Sequence, residues 1–146
     1  MPTPRILGID YGQKRIGLAI SDPLGITAHP LCVVEYTTHT GLLRELSKVV
    51  EEKSVSEVVV GMPKRLDNTM GRKADEVMAF IETLRAELGG RVEVSTVDER
   101  FTTVQAAKML ADVKIGRKQK RSHINAVSAQ ILLQAWMDIR KTKSLR

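Results

Sequence analysis

The first 22 residues carry an apolar run over 5–9 that ends in Asp10, turns through Tyr11-Gly12-Gln13-Lys14-Arg15, and returns as a second apolar run over 16–20. This pattern predicts a β-hairpin with a carboxylate at the end of a buried strand. Such a group is costly unless something binds it, and a divalent cation is its usual partner. Lys14 and Arg15 beside it suit a phosphate as that cation's other partner.

A third β-rich run, 31–36, precedes any helical pattern. Helical spacing then appears over 41–53 through Leu42, Leu43, Leu46, Val49 and Val50. The short, fully apolar run 58–60 reads as a strand covered on both sides. A polar loop over 64–71 leads to a helix over 72–88, with Val77, Phe80, Ile81 and Leu84 on one face, stopped by Gly89-Gly90. Residues 92–97 read as a fifth strand, and Thr102-Thr103-Val104-Gln105 as a capping box for a helix over 103–112. A basic loop over 114–121 and a last helix over 123–140, with Ser122 as its cap, complete the chain. A meander of three strands followed by alternating βα units gives one α/β domain over 1–146, a five-stranded mixed sheet with helices on both faces.

The 146 residues carry a net charge of +6, which permits a nucleic-acid partner without requiring one. The cations are clustered. Residues 114–121 contain Lys114, Arg117, Lys118, Lys120 and Arg121 and no acid. Aromatic residues are few, which argues against a stacking platform for single-stranded bases. No apolar run is long enough to span a bilayer, and no secretory signal is read at the N-terminus. Cys32 is the sole cysteine, which fits a reducing compartment. Within Leu31-Cys32-Val33-Val34 it is expected to be a buried, inert thiol.

Asp10 ends the first strand, and Asp98-Glu99 ends the fifth. Carboxylates at strand ends of one sheet can share a magnesium ion and, with a substrate phosphate, a second one. The same residues have plain structural uses. Asp10 can close an Asx-turn, Glu99 can pair with Arg100, Lys14-Arg15 can be a solvated hairpin tip, and Thr102 is first of all a helix cap.

Gly8-Ile9-Asp10-Tyr11-Gly12-x-Lys14-Arg15-Ile16-Gly17-x-Ala19-x-Ser21-Asp22 resembles the opening signature of the YqgF (RuvX) family. Val59-Val60-Gly61-Met62-Pro63 resembles its central strand and loop, and Asp98-Glu99-Arg100-Phe101-Thr102-Thr103 its second acidic motif. The block from Ala126 to Gln134 resembles its C-terminal helix. The resemblance implies a ribonuclease-H-like fold and a magnesium-dependent nuclease, with manganese as a substitute. It attaches two functions: maturation of the 5′ end of precursor 16S ribosomal RNA, and resolution of Holliday junctions. By position it makes Asp10 and Glu99 metal ligands and catalytic residues, with Asp98, Arg100 and Thr102 shaping the same corner. Where the family carries a third acid in its last helix, this chain has Asn125. An amide oxygen can ligate magnesium but adds no charge.

The expected protein is therefore a cytoplasmic hydrolase in which Asp10, Glu99 and Asn125 hold the metal. Lys14, Arg15, Arg100, Arg117, Lys118, Lys120 and Arg121 would hold the nucleic-acid backbone. Structured RNA is the first expected partner and a four-way DNA junction the second; the latter requires a homodimer rather than a monomer. A binding module that has lost cleavage through Asn125 is the third reading.

Overall fold

The structure, a computed structural model, describes residues 4–63, 71–99 and 117–144, with the side chains of the last segment described over 126–141. Strand β1 spans Arg5–Asp10, β2 Arg15–Ser21 and β3 Ala28–Glu35. Helix α1 spans His39–Glu52, β4 Val55–Met62 and α2 Arg72–Leu88. A 3-10 turn over Gly89–Arg91 leads into β5, Glu93–Asp98, and the last helix, α3, spans Arg117–Ser144.

The five strands lie in the order β3-β2-β1-β4-β5. β1 pairs antiparallel with β2, and β2 with β3; β1 pairs parallel with β4, and β4 with β5. The expected mixed sheet with helices on both faces is what forms. Leu7, Ile9, Ile16, Leu18, Val58 and Val60 meet Leu42, Leu46 and Val50 of α1 and Val77, Phe80, Ile81 and Leu84 of α2. The alternate residues, with Ala19, Ala28, Val59 and Val97, meet Ala129, Leu132 and Leu133 of α3.

That second face is lined with small residues, so α3 comes very close to the sheet. A Cβ on Gly8 would lie 2.8 Å from Leu133 Cβ and 3.1 Å from the Ala129 carbonyl oxygen. The helix is pinned along its length by polar contacts. Gln134 Oε1 accepts from the Ala28 backbone N at 2.9 Å, and Gln130 Nε2 donates to the Ala28 oxygen at 3.0 Å. Farther along, buried Glu57 accepts from Trp136 Nε1 at 3.1 Å and from Arg140 at 2.6 Å. These contacts make α3 antiparallel to β1 and β4: its early residues lie at the strands' C-terminal ends.

Several boundaries differ from the sequence reading. α1 begins two residues earlier, because Thr38 caps it by accepting from Gly41 N at 3.1 Å. β3 takes in Ala28-His29-Pro30, with a register shift between Leu18 and Ala19 where Pro30 enters the pairing. Cys32 is exposed on this edge strand, not buried. β3 is an outer strand of the sheet, so the apolar run does not enclose it, although partial burial still raises its thiol pKa. The basic run is not a loop over 117–121: those residues open α3. After Gly116 the run contains only Arg, Lys and Gln, all good helix formers, so a serine cap farther on is not needed. Ser122 is consequently interior, and Asn125 lies more than two turns into the helix. The helix expected over 103–112 and its capping box lie outside the described residues.

Candidate metal and nucleic-acid site

Parallel pairing puts the two acids at the same end of the sheet, on either side of β4. Ile9 pairs with Val60, so Asp10 and Gly61 follow at the same level, and Gly61 pairs with Val97 two residues before Glu99. Side chains alternate along a strand. Asp10 shares the face of Gly8, and Glu99 that of Val97, the face α3 covers. Asp10 is 4% exposed and Glu99 is half-buried. The Glu99 carboxylate lies beside Gly61: a Cβ there would be 3.1 Å from Glu99 Oε1 and 2.6 Å from Leu132 Cδ1. Gly61 therefore forms the floor between the acids, and a side chain would fill it.

The turn carrying Asp10 outward is clamped. The Tyr36 hydroxyl donates to the Gly12 carbonyl at 2.6 Å, and Tyr36 N donates to the Lys14 carbonyl at 3.1 Å. Burial, then the hydrogen bond with Tyr11, holds the Tyr36 phenol far above its ordinary pKa. Tyr11 packs its ring on Phe80, with centroids 4.7 Å apart. Gln13 Nε2 reaches Glu76 of α2 at 3.3 Å. Neither Tyr36 nor Gly61 stood out in the sequence as a site residue, because each acts by backbone contact or by lacking a side chain.

The other expected residues fall as follows. Lys14 is exposed on the turn. Arg15 is cross-strand from Glu35, with its Nε 3.2 Å from the carboxylate, so the sequence's bare cation is part of a surface ion pair. Asp98 ends β5 opposite Met62 and alternates onto the face of α1 and α2, away from Glu99. Arg100 and Thr102 lie outside the described residues. Asn125 precedes Ala129 by one helical turn, while Asp10 follows Gly8 by two residues; both steps are about 6 Å in the same direction. The backbone of Asn125 thus lies at the height of Asp10. Arg117, Lys118, Lys120 and Arg121 lie one to two turns farther out, on the part of α3 that passes the strand ends.

Carboxylates at the same end of neighbouring strands suit a hard divalent cation. Among the described residues no group of three or more His, Cys, Asp or Glu could hold a metal. Asp138 is far along α3 and accepts from Gln134 at 3.1 Å. Among the described residues no helix is long and apolar enough to cross a membrane.

Comparison with known proteins identifies the family and the fold. The family model described as "RuvX: Holliday junction resolvase" matches residues 4–139. A protein of Desulforamulus reducens named "Putative pre-16S rRNA nuclease" is 38% identical over 134 residues, 92% of this chain and 96% of that one. A protein of Moorella thermoacetica with the same name is 39% identical over 134 residues, 92% of this chain and 94% of that one. Among solved structures, the T. thermophilus RuvC in complex with Holliday junction substrate matches with a TM-score of 0.59 at 18% identity, covering 95% of this chain and 96% of that one. The fowlpox virus Holliday junction resolvase matches at 0.53 with 13% identity, covering 92% and 98%. These two show the fold, which is ribonuclease-H-like. The chain belongs to the RuvX family.

Proposed function

We propose that this protein is a divalent-metal-dependent nuclease that matures the 5′ end of precursor 16S ribosomal RNA in the cytoplasm. The observation that supports the reading is buried Asp10 at the end of β1, level with Gly61, with the Glu99 carboxylate beside Gly61, on a sheet face covered by α3. The relatives' names supply the substrate. Asp10 and Glu99 would hold magnesium, or manganese in its place, and the Asn125 amide oxygen would complete the set. A divalent ion held there would supply charge compensation and activate water for attack on the phosphodiester.

The chain's own residues do the rest. Burial of Asp10 keeps bulk water from competing for its carboxylate. The Tyr36 clamp on Gly12 fixes the turn that carries it. Lys14, Arg15 and the basic residues that open α3 would hold the phosphate backbone.

Magnesium-dependent cleavage of a precursor 16S 5′ fragment tests this. Wild type should cut it at the mature end, and Asp10→Asn and Glu99→Gln should not. Equal residual activity in all three proteins would refute the assignment. The second reading, resolution of four-way DNA junctions, is favoured by the description of the family model. It requires a dimer with two sites, so a strictly monomeric protein that leaves junctions intact excludes it. A large gain of rate in Asn125→Asp would instead support a binding module whose native site is crippled.

A further inference from the structure

One polar group in the core has no use in the fold. Ser128 of α3 is fully buried, and its Oγ has no hydrogen-bond partner among the described residues. A serine inside a helix usually settles its hydroxyl on the carbonyl four residues back; Ser128 does not. A buried, unsatisfied hydroxyl is destabilising, and alanine would serve the packing and the helix better.

Its position explains its presence. Leu132 is one turn after Ser128 on the same side of α3, and Leu132 Cδ1 and Glu99 Oε1 both border the space above Gly61. Because α3 runs antiparallel to β4, with Trp136 and Arg140 back at Glu57 near that strand's start, Ser128 lies a turn beyond Leu132 toward the strand ends. That is the end at which Glu99 leaves β5. Ala129, its neighbour, is against Gly8 on the β1 side, which leaves Ser128 on the side of Glu99.

We propose that Ser128 is a positioning residue for Glu99: when a divalent cation is held by the acidic pair, the Ser128 hydroxyl donates a hydrogen bond to the Glu99 carboxylate. This fixes which carboxylate oxygen faces the ion. The inference rests on the reading of Asp10 and Glu99 as the cation site. Partners of metal ligands typically contribute 10–100-fold to affinity. The hydroxyl is destabilising in the metal-free protein and stabilising in the loaded one, so the two states respond oppositely to its removal.

Manganese binding to wild type, Ser128→Ala and Asp10→Asn, measured by calorimetry well below the melting temperatures, tests this, together with melting curves with and without the ion. Ser128→Ala should melt at or above the wild-type temperature without metal, bind manganese about tenfold or more weakly, and gain less on loading. Wild-type affinity in Ser128→Ala, with Asp10→Asn impaired, overturns the role of Ser128 and leaves the metal site standing. Failure of wild type to bind, or equal binding in Asp10→Asn, overturns the metal site and this inference with it.

Discussion

Gly61 is where packing and function meet, and its replacement by alanine has a consequence that can be worked out. The new Cβ would lie 2.6 Å from Leu132 Cδ1 and 3.1 Å from Cδ2. Carbon atoms rest about 3.5–4.0 Å apart, so roughly 1 Å of separation must be found. Leu132 is fully buried, so its methyl groups cannot swing into solvent. Overpacking of this kind costs about 1–3 kcal/mol. For a chain of this size, that lowers Tm by roughly 2–12 °C. Leu132→Ala alone should cost about 2–5 kcal/mol, chiefly through the cavity it leaves. In the double variant the alanine Cβ enters that cavity, so the two changes should cost at least about 1 kcal/mol less than their sum. Urea melts followed by circular dichroism measure all four proteins. Gly8→Ala serves as the contrast: its obstacles are Leu133 Cβ and the Ala129 carbonyl, which Leu133→Ala leaves in place. Additivity of Gly61→Ala and Leu132→Ala within about 0.5 kcal/mol would refute the packing described.

Glu57→Ala should destabilise the fold by about 1–3 kcal/mol, since Trp136 loses its acceptor and Arg140 loses this carboxylate; Glu57→Gln, which keeps an acceptor, should cost less in the same melts. Tyr36→Phe should cost about 1 kcal/mol by freeing the Gly12 carbonyl. The folded-state pKa of Tyr36 is raised, so its contribution is complete below the unfolded value near 10 and is lost as pH rises past it. Alkaline stability curves should therefore fall less steeply in Tyr36→Phe, and parallel curves would contradict this. Asp22 has the opposite sign: the Ile26 backbone N–H, chief among its partners, lowers its pKa, so its small contribution holds above about 4 and fades on acidification. Asp22→Asn should flatten the acid limb of the same curve. If nucleic-acid binding uses the cations that open α3, replacing Lys118, Lys120 and Arg121 by alanine should reduce the log–log salt slope by about 0.7–0.9 per lost contact; an unchanged slope would show that this helix end is not in contact.

Among the described residues the strand and helix order was legible because each element carries its own periodicity: the apolar β1 run, the Val77-Phe80-Ile81-Leu84 stripe, the Asp10 and Asp98 strand ends. What sequence alone could not give was set by other elements. Pairing of Ile9 with Val60 and of Gly61 with Val97 decides that Asp10 lies level with Gly61 and that Glu99 leaves β5 beside it. The start of α3 was misplaced because Ser122 is a good cap in isolation, whereas an uninterrupted run of helix formers extends the helix past it. Cys32 was expected inside because its neighbours are apolar, but β3 is an edge strand and its outer residues stay exposed. Ser128 is one of several small residues in its helix, and its burial without a hydrogen-bond partner sets it apart.

A crystal soaked in manganese bears most directly on the metal site. An anomalous peak between the Asp10 and Glu99 carboxylates, with the Asn125 amide oxygen turned to it, is the expected result. A peak elsewhere, or none in a crystal whose acids are accessible to solvent, would contradict the site from which the nuclease reading follows.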